Sequence, residues 1–409
     1  MEIAGRDRSV IRDLARWVAD VAALPVMAER RRMWRRHNSL RRVRPMVLVF
    51  PEGAWRELLP DSALRCEGKS ARRIEWALRS RLYHHDHLHD DTVIENQWFV
   101  GAVIRSTRWG LDPKWRATDD PTGAKGFDPV IHGPADLKKL RHPEFTYDEA
   151  GTRQAWERAS DLLGDILDVK RCGVRHISFH LMAQYCNRRG LGQAMMDMID
   201  RPQMVHDAIA LFAEGERRRV QFYAANNLLS LNNNGTYHSS GGVGYTDELP
   251  AEGFEASRVR LRDMWGSAES QEMAQVSPEM HAEFALAYER PLLEPFGLTG
   301  YGCCEDLTHK LADVMSVPNM RRISISPWAD VDACAEKLGD RYILSWKPNP
   351  AHLCGAFDPE RIRRYLRHTI DVTRGCVLEM ILKDTHTCEH HPERFTRWTD
   401  IARQLVAEA

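Results

Sequence analysis

The chain has 409 residues and a formal net charge of -1, with 43% hydrophobic and 28% charged residues. That composition suits a soluble globular enzyme and excludes a general nucleic-acid binder, which would carry a basic excess. No apolar run reaches the roughly 18–20 residues of a membrane span. The N-terminal MEIAGRDRSV is too polar for a secretory leader, and the nine cysteines have no framework spacing, so the expectation is a cytoplasmic protein with thiols kept reduced.

In chain order, apolar residues recur at helical spacing over 6–36, interrupted by Pro25. The stretch 30–44 carries eight arginines. It reads as a solvated basic face, or as a dock for an acidic partner or anionic cofactor tail. PMVLVF (45–50) is a buried-strand candidate. HHDHLHDD (84–91) looks like a metal tract but lacks an anchoring position, so a structural role comes first and a lid role second. DTVIENQWFV (91–100) is a second strand candidate, and the Gly-, Pro- and Asp-rich 106–134 reads as a long loop or lid.

From there the pattern becomes regular. A helix over 147–168 precedes a strand at 174–181, then helices at 185–199 and 202–226. A strand near 227–231, a loop at 232–252 and a strand around 262–268 follow, then a helix at 278–296. Strands at 297–303, 321–326, 341–346 and 376–382 alternate with helices at 305–316, 329–338, 358–373 and 392–408. Such alternation means βα units and a parallel sheet. The expected architecture is α/β: a (β/α)8 TIM-type barrel over 45–409, with an Arg-rich helical extension over 1–44 and the lid-like loop at 106–134.

Chemistry in a barrel gathers at the C-terminal strand ends. After the candidate strands stand NNNGTYHSSGGVGY, GSAESQE, CCED, SPW, KPNP and KDTHT, whereas the opposite ends carry RHPEF, SVPNMR, EKLGD and DVTRG. An active site is therefore expected at the loaded end. In CCED, Cys303 and Cys304 supply soft ligands that suit zinc, with Glu305 adjacent. The bland alternative is a small apolar residue in the sheet wall. A redox pair is the weaker idea, because a vicinal disulfide ring is strained. In KDTHT, Lys383 and Asp384 are either a structural ion pair or a catalytic pair, with Glu379 in the strand before them. Lys347 and Asn349 of KPNP, and Asn232, Tyr237, His238 and Trp265, are substrate-binding candidates. Glu283 and Glu289 read as surface or supporting residues. GGVG in the 232–252 loop matches no phosphate loop or dinucleotide fingerprint.

CCED, YILSWKPNPAHLCGAFDPERIRRYL and LEMILKDTHTCEHHPERFTRWTDIARQL resemble the uroporphyrinogen decarboxylase superfamily over about 135–409, nearer to its zinc- and corrinoid-dependent methyltransferase branch. The Arg-rich signature of the decarboxylases is missing from FPEGAWRELLP, which points away from porphyrinogen decarboxylation. Cys304 falls on the branch's cysteine, Gly302 stands where its histidine would be, and Asp384 replaces its second cysteine. The resemblance implies a barrel enzyme that transfers a methyl group between a small substrate and a corrinoid or thiol acceptor. It also implies zinc, with Cys304, Cys303, Glu305 and Asp384 as the ligands to draw on, and a corrinoid carried by a partner protein. The alternatives are a metal-independent decarboxylase or lyase using Lys347, Lys383 and Asp384 on a carboxylated substrate, and a non-catalytic binding protein. No nucleic-acid or membrane partner is expected, and the sequence is compatible with a homodimer.

Overall fold

The computed structural model describes residues 3–116, 126–238 and 240–409. Positions 117–125 of the lid-like loop therefore lie outside the described residues. The chain divides into two compact units, each built from separate stretches. Met1–Gly101, Glu149–Cys172 and Gly339–Ala409 form one, and Ala102–Asp148 with Gly173–Leu338 form the other. The strands that alternate with helices are β1 (Met46–Val49), β2 (Ser178–Phe179), β3 (Trp265–Ala268), β4 (Leu298–Tyr301), β5 (Met320–Ile325), β6 (Ile343–Trp346) and β7 (Val377–Leu382). All their recorded pairings within the units are parallel. The architecture is mixed α/β, as expected. Among the described residues the pairings give runs of three strands in one unit and four in the other, and no closed ring of eight is recorded.

The first unit opens with helices α1 (Gly5–Ala22) and α2 (Pro25–Asn38). Pro25 begins the second helix, at a position where its missing N–H is no loss. The apolar stripe of α1, with Ile11, Leu14 and Val18, packs against Leu78, Leu82, Leu162 and Leu163. β7 lies between β1 and β6, with Met46 opposite Glu379 and Ser345 also opposite Glu379. Every residue of these strands is buried, which is why they read as continuous apolar runs.

β1 has a second edge, and there the HHDHLHDD tract does its work. Val49 N–H donates to Asp90 Oδ2 at 3.0 Å and Val47 N–H to Asp91 Oδ2 at 2.9 Å. Asp91 N–H donates back to Val47 O at 2.8 Å. Both carboxylates are buried. Arg44 grips Asp91 with two hydrogen bonds of 2.8 and 2.6 Å, and His84 and Thr92 bond Asp90. The acids of the tract thus satisfy strand amides that another strand would otherwise reach.

In the second unit β2, β3, β4 and β5 follow one another side by side. The strand expected near 227–231 is only a single bridge between Val174 and Leu229. The 232–252 loop therefore does not leave a strand end. It runs toward Trp265, the first residue of β3, which places it at the N-terminal end of the sheet. The helix expected over 305–316 is restricted to Leu311–Met315. The residues before it turn instead, with Asp306 Oδ1 accepting from Thr308 N–H and Oγ1–H. No helix among the described residues is long and apolar enough to cross a membrane.

Replacing Asp91 with alanine strands both the Val47 amide and the Arg44 guanidinium. The expected loss is about 3 kcal/mol of folding stability by chemical denaturation. Asp86→Ala in the same tract, whose carboxylate takes no part in the edge, should change stability by no more than about 0.5 kcal/mol.

Candidate active site

Three neighbouring strands of the second unit end in register. Phe179 lies opposite Ala268, and Ala268 opposite Tyr301. Pairing continues one residue further, because Glu269 N–H donates to Phe179 O at 3.1 Å and Gly302 N–H to Ala268 O at 3.0 Å. His180, Glu269 and Gly302 therefore stand side by side at the C-terminal rim, with Cys303, Cys304 and Glu305 directly after. Gly302 has φ +95, and a Cβ there would lie 2.8 Å from Leu307 Cδ1 and 3.2 Å from Ser324 Cβ. The positive φ strains any side chain here whatever the space, so a histidine at this position would be held in an unfavourable backbone conformation.

His180 Nδ1 lies 2.5 Å from Glu269 Oε1. Burial works against charge on His180, but the hydrogen bond and charge of Glu269, with smaller pulls from Glu289 and Glu272, hold its pKa above the ordinary value. Around the pair the carboxyl groups shift upward as well, which for them favours the neutral form. Burial raises the pKa of Glu272, reinforced by Glu269 and Glu305. Burial likewise raises that of Glu305, although its Oε2 accepts from Cys303 N–H at 2.7 Å and its Oε1 from Ser270 N–H at 3.2 Å. Lys310 is buried, with Nζ donating to Met273 O at 2.6 Å. Its pKa is lowered by burial against the pull of Glu305 and Asp306.

Behind the rim runs a buried hydrogen-bond chain. Ser270 Oγ is 2.8 Å from Glu289 Oε1, Tyr301 Oη 2.7 Å from Glu289 Oε2, and His281 Nε2 2.9 Å from Tyr301 Oη. Burial pushes Glu289 up to about 8 and His281 down to about 3, so near neutrality the acid is mostly protonated and the imidazole neutral. His281 Nδ1 is buried without a partner. A bare lone pair there costs less than an orphaned N–H, which assigns the proton to Nε2. His281 Nε2–H then donates to Tyr301 and Tyr301 O–H to Glu289 Oε2, while Ser270 Oγ lies on the other carboxyl oxygen. Glu289 is thus a buried, supporting member of the cluster, the second of the two roles open to it from sequence. His180, Glu269, Ser270, Tyr301 and His281 were not singled out from sequence. Only the positions of His180 and Glu269, immediately after apolar runs, could have drawn attention to them.

The structure places the remaining candidates as follows. Cys303 Sγ and Cys304 Sγ are 3.5 Å apart. Asn232 is buried and fully engaged. Its amide donates to Arg175 O and Trp265 O, and its Oδ1 accepts from Trp265 N–H. Trp265 is buried under His238, ring centroids 4.5 Å apart, and under the Arg322 guanidinium at 5.1 Å. Tyr237 accepts from His176 Nδ1 at its backbone oxygen. This group is a packed plug at the N-terminal end of β3, not a rim pocket. The segment before it, expected as a strand near 227–231, forms only the Val174–Leu229 bridge.

In the first unit, Lys383 Nζ lies 3.0 Å from Asp384 Oδ1, and Asp384 N–H donates to Glu52 Oε2 at 3.1 Å. This knot sits at the ends of β7 and β1. Lys347 Nζ is buried on Ser345 O and Oγ at 2.9 and 2.7 Å. Asn349 Oδ1 caps Ala351 N–H. Glu379 is fully buried, 3.2 Å from His37 Nε2 of α2. Placed mid-strand rather than at a strand end, it ties the N-terminal helices to the sheet.

Zinc needs three or four converging donors. Among the described residues no three His, Cys, Asp or Glu side chains gather in that way, and both oxygens of Glu305 already hold backbone amides. The donors Cys303, Cys304 and Glu305 do not by themselves fit a zinc shell.

No protein-family model matches the chain, and no curated protein does. Among solved structures the chain is similar to a methyltransferase from Methanosarcina mazei, over 91% of this chain and 97% of that one, with 10% sequence identity and a TM-score of 0.49. A likeness at that level carries no assignment.

Glu289→Gln copies the protonated acid, since its amide can donate to Ser270 and its oxygen accept from Tyr301. Because the folded pKa of Glu289 is raised from 4.5 to about 8, its contribution to stability is complete below about pH 4.5 and is lost as pH rises through about 8. The variant should fold, and the difference in stability between wild type and variant should change across that window in favour of the variant. Denaturation curves collected from pH 4.5 to 8 check this.

Proposed function

We propose that the chain is an enzyme whose active site is the strand-end cluster of the second unit, and that it transfers a methyl group between a small substrate and a thiol or corrinoid acceptor. The supporting observation is that adjacent strand ends deliver a His180–Glu269 pair next to the Cys303–Cys304 turn. Active sites of parallel α/β folds sit at this end. The resemblance of CCED and of the closing segments to methyltransferases supplies the reaction class.

Transfer to sulfur requires a thiolate. Glu269 fixes the tautomer of His180 by accepting from Nδ1–H, which leaves Nε2 to take the proton of the attacking thiol. As the sulfur–carbon bond forms, the bond from the methyl carbon to its donor breaks and the electron pair leaves with the donor. The protonated Glu289 and the buried Glu305 keep the neighbourhood polar without adding two full charges. Zinc and a corrinoid-bearing partner are what the resemblance implies.

The carboxyl groups of Glu269, Glu272, Glu289 and Glu305 also bear on the substrate. They face His180 and a Lys310 already bonded to backbone, so the site favours a neutral or cationic methyl donor over a carboxylated one. The decarboxylase reading would lean on Lys347 and Lys383, which are engaged with Ser345 and Asp384.

The test is incubation of the purified protein with methylcobalamin and a small thiol such as 2-mercaptoethanol, with the S-methyl product measured by mass spectrometry. Product should form, and His180→Ala should slow it by about a hundred- to ten-thousand-fold. Failure to methylate any thiol, with release of carbon dioxide from a carboxylated substrate, would contradict the proposal.

A further inference from the structure

The turn after β4 has a second chemical capacity that methyl transfer does not require. Cys303 Sγ and Cys304 Sγ are 3.5 Å apart, and both residues are half-buried. A disulfide needs about 2.0 Å, so closure takes a movement of about 1.5 Å. The residues between Tyr301 and Leu311 lie outside any helix or strand, so the 303–304 peptide is not part of a regular strand ladder. The resulting ring is strained, and strained, accessible disulfides are the easily reduced ones.

We propose that Cys303 and Cys304 form a modification site, closing a redox-labile vicinal disulfide by exchange with a small-molecule disulfide. The Cys304 thiolate attacks the disulfide, forms a mixed disulfide and releases one small thiolate. The Cys303 thiolate then attacks the Cys304 sulfur and releases the second. The two cysteines are oxidised by two electrons, the small disulfide is reduced to two thiols, and the protons lost by the cysteines pass to those leaving groups. Closure consumes both thiols of the strand-end cluster. It also bears on Glu305, because the peptide that must twist lies next to the Cys303 N–H that Glu305 accepts at 2.7 Å. Ser324 Oγ, which donates to Cys303 O at 3.1 Å, marks how far the turn can move before a second bond breaks.

The reduced full-length protein is incubated with oxidised glutathione without oxygen, quenched with iodoacetamide, digested and mapped by mass spectrometry. The peptide with Cys303 and Cys304 should be two hydrogens lighter, escape alkylation, and return to the alkylatable form with dithiothreitol. Cys303→Ser should instead stop at a glutathione adduct on Cys304. A wild-type peptide that stays alkylated at both positions, stops at a glutathione adduct, or bridges to another cysteine would overturn the proposal. The readout is a peptide mass, so its outcome is separate from that of the methyl-transfer assay.

Discussion

A carboxylate taken out of water must find donors, and in this chain the donors are repeatedly backbone amides. An ionised carboxyl alone in an apolar interior is prohibitively costly, and so is a buried N–H with no acceptor. Each solves the other's problem. Asp90 and Asp91 complete the open edge of β1. Asp7 takes the amides of Glu67 and Gly68. Glu75 takes those of Arg65 and Cys66, and Glu57 those of Cys388 and His390. At the strand ends of the second unit Glu305 does the same for Ser270 and Cys303. Structural acids and site acids follow one rule.

The difference between the two kinds lies in what else surrounds the carboxyl. Asp91 has Arg44, and Glu75 has Arg79, so charge is matched by charge. Among the described residues the hydrogen-bond partners of Glu289 are two hydroxyls, those of Ser270 and Tyr301, with no guanidinium or ammonium. Burial then wins, and the acid keeps its proton into the neutral range. His180 is shifted in the same direction, but by the hydrogen bond and charge of Glu269 working against burial. Two groups of one rim are thus driven toward their protonated forms for different reasons, and acid–base chemistry at neutral pH draws on groups shifted in this manner.

Much of the α/β pattern was legible in the sequence, because buried parallel strands are short apolar runs bounded by Gly, Pro, Asn and Asp. RRISIS, RYILSW and CVLEMIL fold as β5, β6 and β7 within a residue or two of expectation. The apolar NLLSL near 227–231 looked the same but forms only one bridge, since nothing in a local run states whether a partner strand lies alongside. The loop that follows it packs Asn232 and His238 against Trp265 instead of leaving the end of a paired strand. CCED stood out because adjacent cysteines are rare. His180 and Glu269 are ordinary residues whose meaning comes from the register of β2 and β3. Glu289 was illegible because its burial is set by Tyr301 and Ser270, which pack against it only after folding. The partner of Glu379, His37, likewise lies far away in the chain.

The account stands on a strand-end site in which Glu269 holds a proton on His180. The most direct measurement is the titration of His180 by NMR, using imidazole-labelled protein, in wild type and in Glu269→Gln. The account predicts a His180 pKa above the ordinary 6.5 that falls in the variant, where the carboxylate charge is gone. A His180 that titrates at or below 6.5 and ignores the substitution would contradict it.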